Sequence, residues 1–155
     1  MKNFLSAVTV ILLLTSCIDN KEPEGLGLRV KKIGPRSAVA LKECRKGNCN
    51  VSFKKLADES RYIEPIKYHE DKDQAINKIM GIVLKDKTLN IIKSDEKYIR
   101  AKQELYGKFI SDLEFFFGSN KQVHMRIEMR GVPHDLGNGR RLLEKIRFKF
   151  QQNDF

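Results

Sequence analysis

Two pairs of like-charged residues stand at even spacing in neighbouring stretches of alternating sequence, and they are the first candidates for chemistry. Asp112 and Glu114 lie in one predicted strand, and Arg126 and Arg130 lie in the next. Because successive side chains of a strand point to opposite faces, each pair shares one face. Pairing of the two strands through a turn at residues 118–120 brings the acids opposite the arginines.

This arrangement has more than one interpretation. A ladder of opposite charges fixes the register of an antiparallel sheet whose polar face is half exposed. Alternatively, arginines that are oriented by carboxylates form a pocket for an anion or a lipid headgroup. Carboxylate pairs also serve as general acid and base, so a hydrolase that uses Asp112, Glu114 and Asp135 is a further hypothesis.

Other kinds of chemistry have weaker signals. The sequence has no GxSxG motif, no Gly-rich phosphate loop and no Cys–His pair placed for nucleophilic work. The three histidines lack the spacing of a metal site: His69, His124 and His134. We therefore assign no catalytic residue and predict neither a metal nor a cofactor.

The N-terminus predicts an exported, lipid-anchored protein. The apolar run of residues 4–14 is too short to span a bilayer and fits the hydrophobic region of a signal peptide. Residues 14–17, Leu-Thr-Ser-Cys, resemble the lipobox of bacterial lipoproteins. The resemblance implies cleavage before Cys17 and lipidation of its thiol, and Ile18 after it favours the outer membrane. The alternative is an ordinary signal peptide in which Cys17 happens to fall near the cleavage site.

Two further cysteines stand close together, Cys44 and Cys49, with the turn formers Gly47 and Asn48 between them. An exported protein folds in an oxidising compartment, where such a pair favours a disulfide. Zinc is the less favoured alternative, because it needs four ligands and the nearby sequence offers no histidine.

The positive charge is unevenly distributed along the chain. The formal net charge is +10, yet residues 29–55 alone carry nine basic residues and one acid, and residues 56–155 are nearly balanced. Basic residues beside a membrane anchor attract anionic headgroups by about 1 kcal/mol each. The alternative is that this basic arm is a solvated, partly disordered linker. Phe53 is the only aromatic residue of this basic arm, so we do not expect nucleic acid as a partner.

A chain of 155 residues with 41% hydrophobic residues fits one folded domain. Helical spacing predicts one helix that begins at residues 70–73 and a second that carries Leu142, Leu143, Ile146 and Phe150. Alternation and turn signals predict strands at 61–68, 88–93, 97–106, 109–117 and 121–130. The order β-α-β-β-β-β-α predicts a two-layer α+β fold, with an antiparallel sheet of four to five strands packed with two helices.

Several segments together resemble a known family. They are Phe109-Ile-Ser-Asp112-Leu-Glu114-Phe115, Arg126-Ile-Glu-Met-Arg130 and Asp135-Leu-Gly, with support from Asn48-Cys49, Ser52 and residues 63–68. Over roughly residues 41–150 they resemble the family catalogued as domain of unknown function 1499, small proteins of bacteria and plastids. The resemblance supplies no activity. It marks seven polar residues as a candidate anion or partner site: Asp112, Glu114, Arg126, Arg130, Asp135, Arg140 and Glu144.

Within this set, the anion-pocket interpretation brings Arg126, Arg130 and Arg140 together. The structural interpretation instead lets Asp135 cap the last helix or hold the loop before it.

The sequence thus divides into a signal peptide (1–16), a lipidated cysteine with its tether (17–40) and one α+β domain (41–155). We expect a non-catalytic binding or structural lipoprotein of the bacterial envelope, facing the periplasm or the cell surface. Its expected partners are the membrane, anionic headgroups through the basic arm, and an envelope protein. The alternative is an envelope hydrolase, or an enzyme that processes lipids or anionic ligands, built on the acids and arginines of the two central strands.

Overall fold

An antiparallel sheet with two helices on one face forms the body of the protein in the computed structural model, which describes residues 19–33, 36–44, 47–53 and 59–152. Cys17, predicted to carry the lipid, lies outside the described residues. The main sheet has six strands in the order β3-β8-β7-β6-β5, with β4 also paired to β8. The elements in chain order are β1 (Leu28–Ile33), β2 (Arg36–Leu41), β3 (Cys49–Val51), β4 (Ile66–Lys67), α1 (Lys72–Leu84), β5 (Leu89–Ser94), β6 (Tyr98–Leu105), β7 (Phe109–Phe117), β8 (Gln122–Met129) and α2 (Asn138–Gln151).

The predicted α+β class is confirmed, with two helices and a mostly antiparallel sheet. Alternate residues of the three central strands point to the helices and form the core together with the apolar stripe of each helix. The fully buried members from β6, β7 and β8 are Ile99, Ala101, Leu113, Phe115, Val123, Met125 and Ile127. The opposite face of the same strands is consequently left for the polar residues.

Helix α1 begins where local chemistry favours the start of a helix. Asp71 caps α1, and its side chain accepts a hydrogen bond from the Gln74 backbone N–H at 2.8 Å. In α2 the buried residues Leu142, Leu143, Ile146 and Phe150 include the whole predicted stripe. Among the described residues, no helix is long and apolar enough to cross a membrane.

The predicted strand at 61–68 is wrong over most of its length, because only Ile66–Lys67 forms a strand, which pairs with β8. Pro65 has no N–H to donate, which interrupts a strand ladder. The preceding residues instead run beside β3, where the Val51 N–H donates to the Arg61 carbonyl at 3.0 Å and Tyr62 forms an isolated parallel bridge with Val51. The short edge strand β3 itself was not predicted.

Much of the predicted tether has regular structure. Residues 28–33 and 36–41 form a β-hairpin that is separate from the main sheet. The fully buried Leu41 packs with Tyr98 and Phe116 on the face of the sheet that is turned away from the helices. Burial of Leu41 stabilises the docking of the hairpin on the sheet.

The predicted disulfide is confirmed: Cys44 and Cys49 are bonded and join the loop after β2 to the start of β3. Both cysteines are buried and cluster with Val51. The bond therefore fixes an edge strand that has few residues of its own.

Replacement of both cysteines by alanine should lower the free energy of unfolding by about 2 kcal/mol, because the unfolded chain gains the freedom of an open loop. Urea unfolding of the oxidised protein and of the variant measures the difference. Reduction of the native protein is the control and should give a shift of similar size. Equal midpoints for all three samples would show that the disulfide does not contribute to stability.

Candidate functional site

The polar face of β6, β7 and β8 carries a cluster of charges that alternates with the apolar core residues. On β7, Glu114 lies between two arginines, opposite Arg100 on one side and Arg126 on the other. Asp112 lies opposite Lys102 and Glu128. We call this set the charged cluster: Arg100, Asp112, Glu114, Arg126, Glu128 and Arg130. The structure thus brings four of the seven predicted site residues onto one face.

Glu114 and Arg126 form the innermost pair of the cluster. Arg126 Nη1 donates to Glu114 Oε2 at 2.8 Å, and both side chains are fully or almost fully buried, at 0% and 1% exposure. Tyr98 donates its hydroxyl to the other carboxylate oxygen at 2.6 Å. Arg126 also donates to Glu128. Such extra hydrogen bonds offset part of the cost of burying an ion pair.

Asp112 holds the second part of the cluster. Arg130 binds it through two hydrogen bonds, Nε to Oδ2 at 2.7 Å and Nη2 to Oδ1 at 2.9 Å. Arg100 Nη2 donates to the same Oδ1 at 2.9 Å. Asp112 is completely buried, so it serves as the common partner of two guanidinium groups.

The cluster is covered by the start of the described chain, residues 19–27, which we call the N-terminal strap. Its Asn20 carbonyl accepts from Arg130 Nη1 at 2.9 Å, and its Gly27 N–H donates to Glu114 Oε1 at 2.6 Å. Glu22 accepts from Arg100 Nη2 at 2.8 Å and lies 3.6 Å from Arg130. The strap therefore contacts both halves of the cluster.

Gly25 allows the strap to approach Arg126 closely. A Cβ atom built at this position would lie 2.8 Å from Arg126 Nη2, inside van der Waals contact. Arg126 is nearly immobile because Glu114 and Glu128 both hold its guanidinium. A side chain at residue 25 would consequently push the strap away from the sheet.

The surroundings raise the pKa of Tyr98, Arg100 and Arg130. Burial and the adjacent Glu114 carboxylate raise the pKa of Tyr98, so its hydroxyl keeps the proton that it donates. Burial by itself would lower the pKa of Arg100, but hydrogen bonds to Glu22 and Asp112 raise it above its ordinary value. Hydrogen bonding to Asp112 likewise raises the pKa of Arg130.

Asp135 has the helix-holding role that the structural interpretation gave it. Its Oδ1 accepts from the Gly137 N–H at 3.0 Å and its Oδ2 from the Gly139 N–H at 2.7 Å, at the start of α2. A carboxylate at this position also interacts favourably with the helix dipole. Gly139 leaves room for the contact, because a Cβ there would lie 2.7 Å from Asp135 Oδ2.

The predicted convergence of three arginines is wrong. Arg140 lies on α2, which packs against the opposite face of the sheet, and its guanidinium donates to the carbonyls of Ser60 and Tyr62 at 2.8 and 2.7 Å. Glu144, on the same helix, pairs with Arg147 at 2.5 Å. Arg140 therefore joins α2 to the chain before β4, whereas Glu144 pairs within its own helix, and neither residue joins the charged cluster.

His124 lies on the same face of β8 but in an aromatic environment. Its ring stacks on Phe53 with centroids 3.8 Å apart, and its Nδ1 is 3.4 Å from Ser52 Oγ. Ser52 Oγ also accepts from the Met125 N–H at 2.7 Å, which ties β8 to the chain after β3. Burial lowers the pKa of His124 to about 4, so the ring is neutral near pH 7.

A groove of about 1000 Å³ opens beside the strap. Side chains of both signs line it, among them Lys21, Glu24, Arg29, Lys42 and Arg130. Within the ranges that the structure describes, no group of three His, Cys, Asp or Glu residues is placed to hold a metal ion.

The arrangement of the cluster suits binding and positioning better than proton transfer. A general base needs a carboxylate that is free to reach a substrate proton. Both oxygens of Asp112 and both oxygens of Glu114 accept hydrogen bonds from arginine, tyrosine or backbone donors. Glu22 is the member of this network with the largest exposed fraction, at 61%.

A comparison with protein-family models matches residues 40–150 to the family described as "Protein of unknown function (DUF1499)". The chain belongs to this family. No curated protein matches it. The match begins after the strap, so the residues that cover the charged cluster lie outside the matched part of the chain.

The sequence analysis did not identify Arg100 and Glu128 of the cluster or Glu22 of the strap as site residues. Arg100 alternates with Ile99 and Ala101, so its face was predictable, but its pairing with Asp112 required the strand register. Glu22 gave no local signal, because it lies 78 residues from Arg100 in the chain.

Substitution of Asp112 by asparagine should destabilise the fold by about 3–5 kcal/mol, because two arginines lose their shared buried carboxylate. The control is Asp95→Asn, which removes a surface pair with Lys93 and should cost less than about 1 kcal/mol. Urea unfolding compares the two variants. A folded, equally stable Asp112→Asn protein that loses a cellular phenotype would instead favour the enzyme hypothesis.

Stability should depend on pH through His124. Burial depresses its pKa in the fold from the ordinary value of 6.5 to about 4, so the unfolded chain binds a proton that the folded chain rejects. The free energy of unfolding should therefore fall by about 1 kcal/mol per pH unit as the pH drops below 6.5. His124→Gln should flatten this slope between pH 6.5 and 5, whereas the exposed His69→Gln should not. Equal slopes in all three proteins would contradict the assignment.

Proposed function

We propose that the protein is a lipoprotein of the bacterial envelope whose domain is a non-catalytic binding or structural module. The sequence support is the apolar leader followed by Leu14-Thr15-Ser16-Cys17, which resembles a lipobox. The disulfide between Cys44 and Cys49 agrees with folding in an oxidising compartment. Ile18 after the lipidated cysteine favours the outer membrane, with the domain facing the periplasm or the cell surface.

The observation that carries the proposal is the attachment of the strap to the sheet. Asn20 is already bound to Arg130. Asn20 is the third residue after Cys17, so the chain between them spans at most about 11 Å. A lipid on Cys17 would accordingly hold the domain against the membrane surface, without a long leash.

The basic arm fits the same placement. Residues 29–55 contain the β1–β2 hairpin, and their net charge is +8 from nine basic residues and Glu43. Arg29 and Lys42 line the groove beside the strap. Anionic headgroups are the partner that this charge favours next to a membrane, and an envelope protein is the second class of partner.

Hydrogen bonds within the cluster weigh against the enzyme alternative. The acids Asp112 and Glu114, which a hydrolase would use, are buried, and arginines bind them. Their exposure to substrate would require removal of the strap together with Glu22.

Cys17→Ala should release the full chain from membranes, since no lipid can then be attached. Fractionation of cells, with a wash at about 1 M salt to screen the basic arm, measures the distribution of the protein. The matched control is the Cys44→Ala/Cys49→Ala variant, which should stay in the membrane fraction. Retention of Cys17→Ala in the membrane after the salt wash would refute lipid anchoring.

A further inference from the structure

Arg100 and Arg130 share two carboxylate partners, which differ in their exposure to solvent. Asp112 binds both arginines from below and is completely buried. Glu22 binds them from the strap and is 61% exposed. The two guanidinium groups therefore meet a fixed carboxylate on the inside and a solvent-facing carboxylate on the outside.

The charges show why the outer position favours an anion. Two guanidinium groups and the Asp112 carboxylate sum to one positive charge, which Glu22 neutralises. Arg130 keeps its two hydrogen bonds to Asp112 without Glu22, so its orientation does not depend on Glu22. Arg100 also has a buried Nε for which the described residues supply no hydrogen-bond partner.

We propose that Arg100 and Arg130 form a binding site for a phosphate group, and that Glu22 occupies this site as an internal competitor. Planar guanidinium groups recognise carboxylate and phosphate oxygens through the same geometry of paired hydrogen bonds. Ion pairs of an exposed carboxylate add little net stability, so an external anion can displace Glu22. Displacement also frees the strap from one of its contacts with the sheet.

The phosphate has two possible sources, a lipid headgroup or free phosphate in solution. Glu22 is the fifth residue after Cys17, so the chain between them spans at most about 18 Å. A headgroup is therefore within reach if Cys17 carries the lipid, and this choice of source rests on the proposed function. The site itself does not rest on the proposed function, because its geometry involves only residues that the structure describes.

Titration with inorganic phosphate tests the site in the full chain solubilised in uncharged detergent. Glu22→Gln removes the competitor and should tighten phosphate binding about fivefold, the equivalent of an exposed ion pair. Glu24→Gln is the matched control, since it lies two residues away in the strap and changes the net charge equally. Isothermal titration calorimetry gives both dissociation constants. Equal constants for the two variants would overturn the proposal, because only general electrostatics would then be acting.

A second substitution identifies the residues that bind the phosphate. Arg100→Gln in the Glu22→Gln background should abolish the fivefold gain, while Asp112 stays paired with Arg130 and the fold is preserved. The urea midpoint of the double variant checks that it is folded. Persistence of the gain in the folded double variant would also overturn the site.

Vesicles distinguish the two sources of phosphate. The Glu22→Gln and Glu24→Gln proteins are reconstituted in phosphatidylglycerol vesicles, and the ratio of their dissociation constants for inorganic phosphate is measured again. Loss of the ratio supports a headgroup in the site, and persistence of the ratio supports soluble phosphate. The detergent titration does not depend on anchoring, so failure of the site there is separate from a failure of the Cys17→Ala test.

Discussion

The buried carboxylates of β7 are the constraint on which the rest of the structure depends. Asp112 and Glu114 have no access to water, so the fold must supply every hydrogen bond and every compensating charge that water would have given. Arginines on β6 and β8 supply the charge, and Tyr98 and the Gly27 N–H complete the hydrogen bonds. The sheet therefore has two interiors, an apolar one beneath the helices and an ionic one beneath the strap.

The ionic interior also explains why strand order and register are specific. Each acid of β7 needs partners from both neighbouring strands or from the strap. A slip of one residue would turn these charges toward the apolar face and leave them unpaired in the core. The same alternation that directs Phe115 to the helices thus directs Glu114 to Arg126.

The strongly periodic parts of the fold were predictable, and the parts that depend on distant contacts were not. Alternation identified β6, β7 and β8, and spacing identified both helices. The β1–β2 hairpin was missed because the burial of Leu41 depends on Tyr98 and Phe116, far along the chain. For the site, even spacing located Asp112, Glu114, Arg126 and Arg130. Helix α2 lies on the other face of the sheet, which is why Arg140 could not complete the predicted pocket.

The strap has a consequence for the order in which the protein is assembled. It is the first part of the described chain to be synthesised, yet its docking surface consists of residues 98–130, whose strands must already be paired. Contacts that span 87 and 110 residues are closed late in folding, because their loop entropy is lost before the contact forms. We therefore expect the strap to dock after the strands have paired. Until it docks, the arginines and carboxylates of β6, β7 and β8 remain in contact with water.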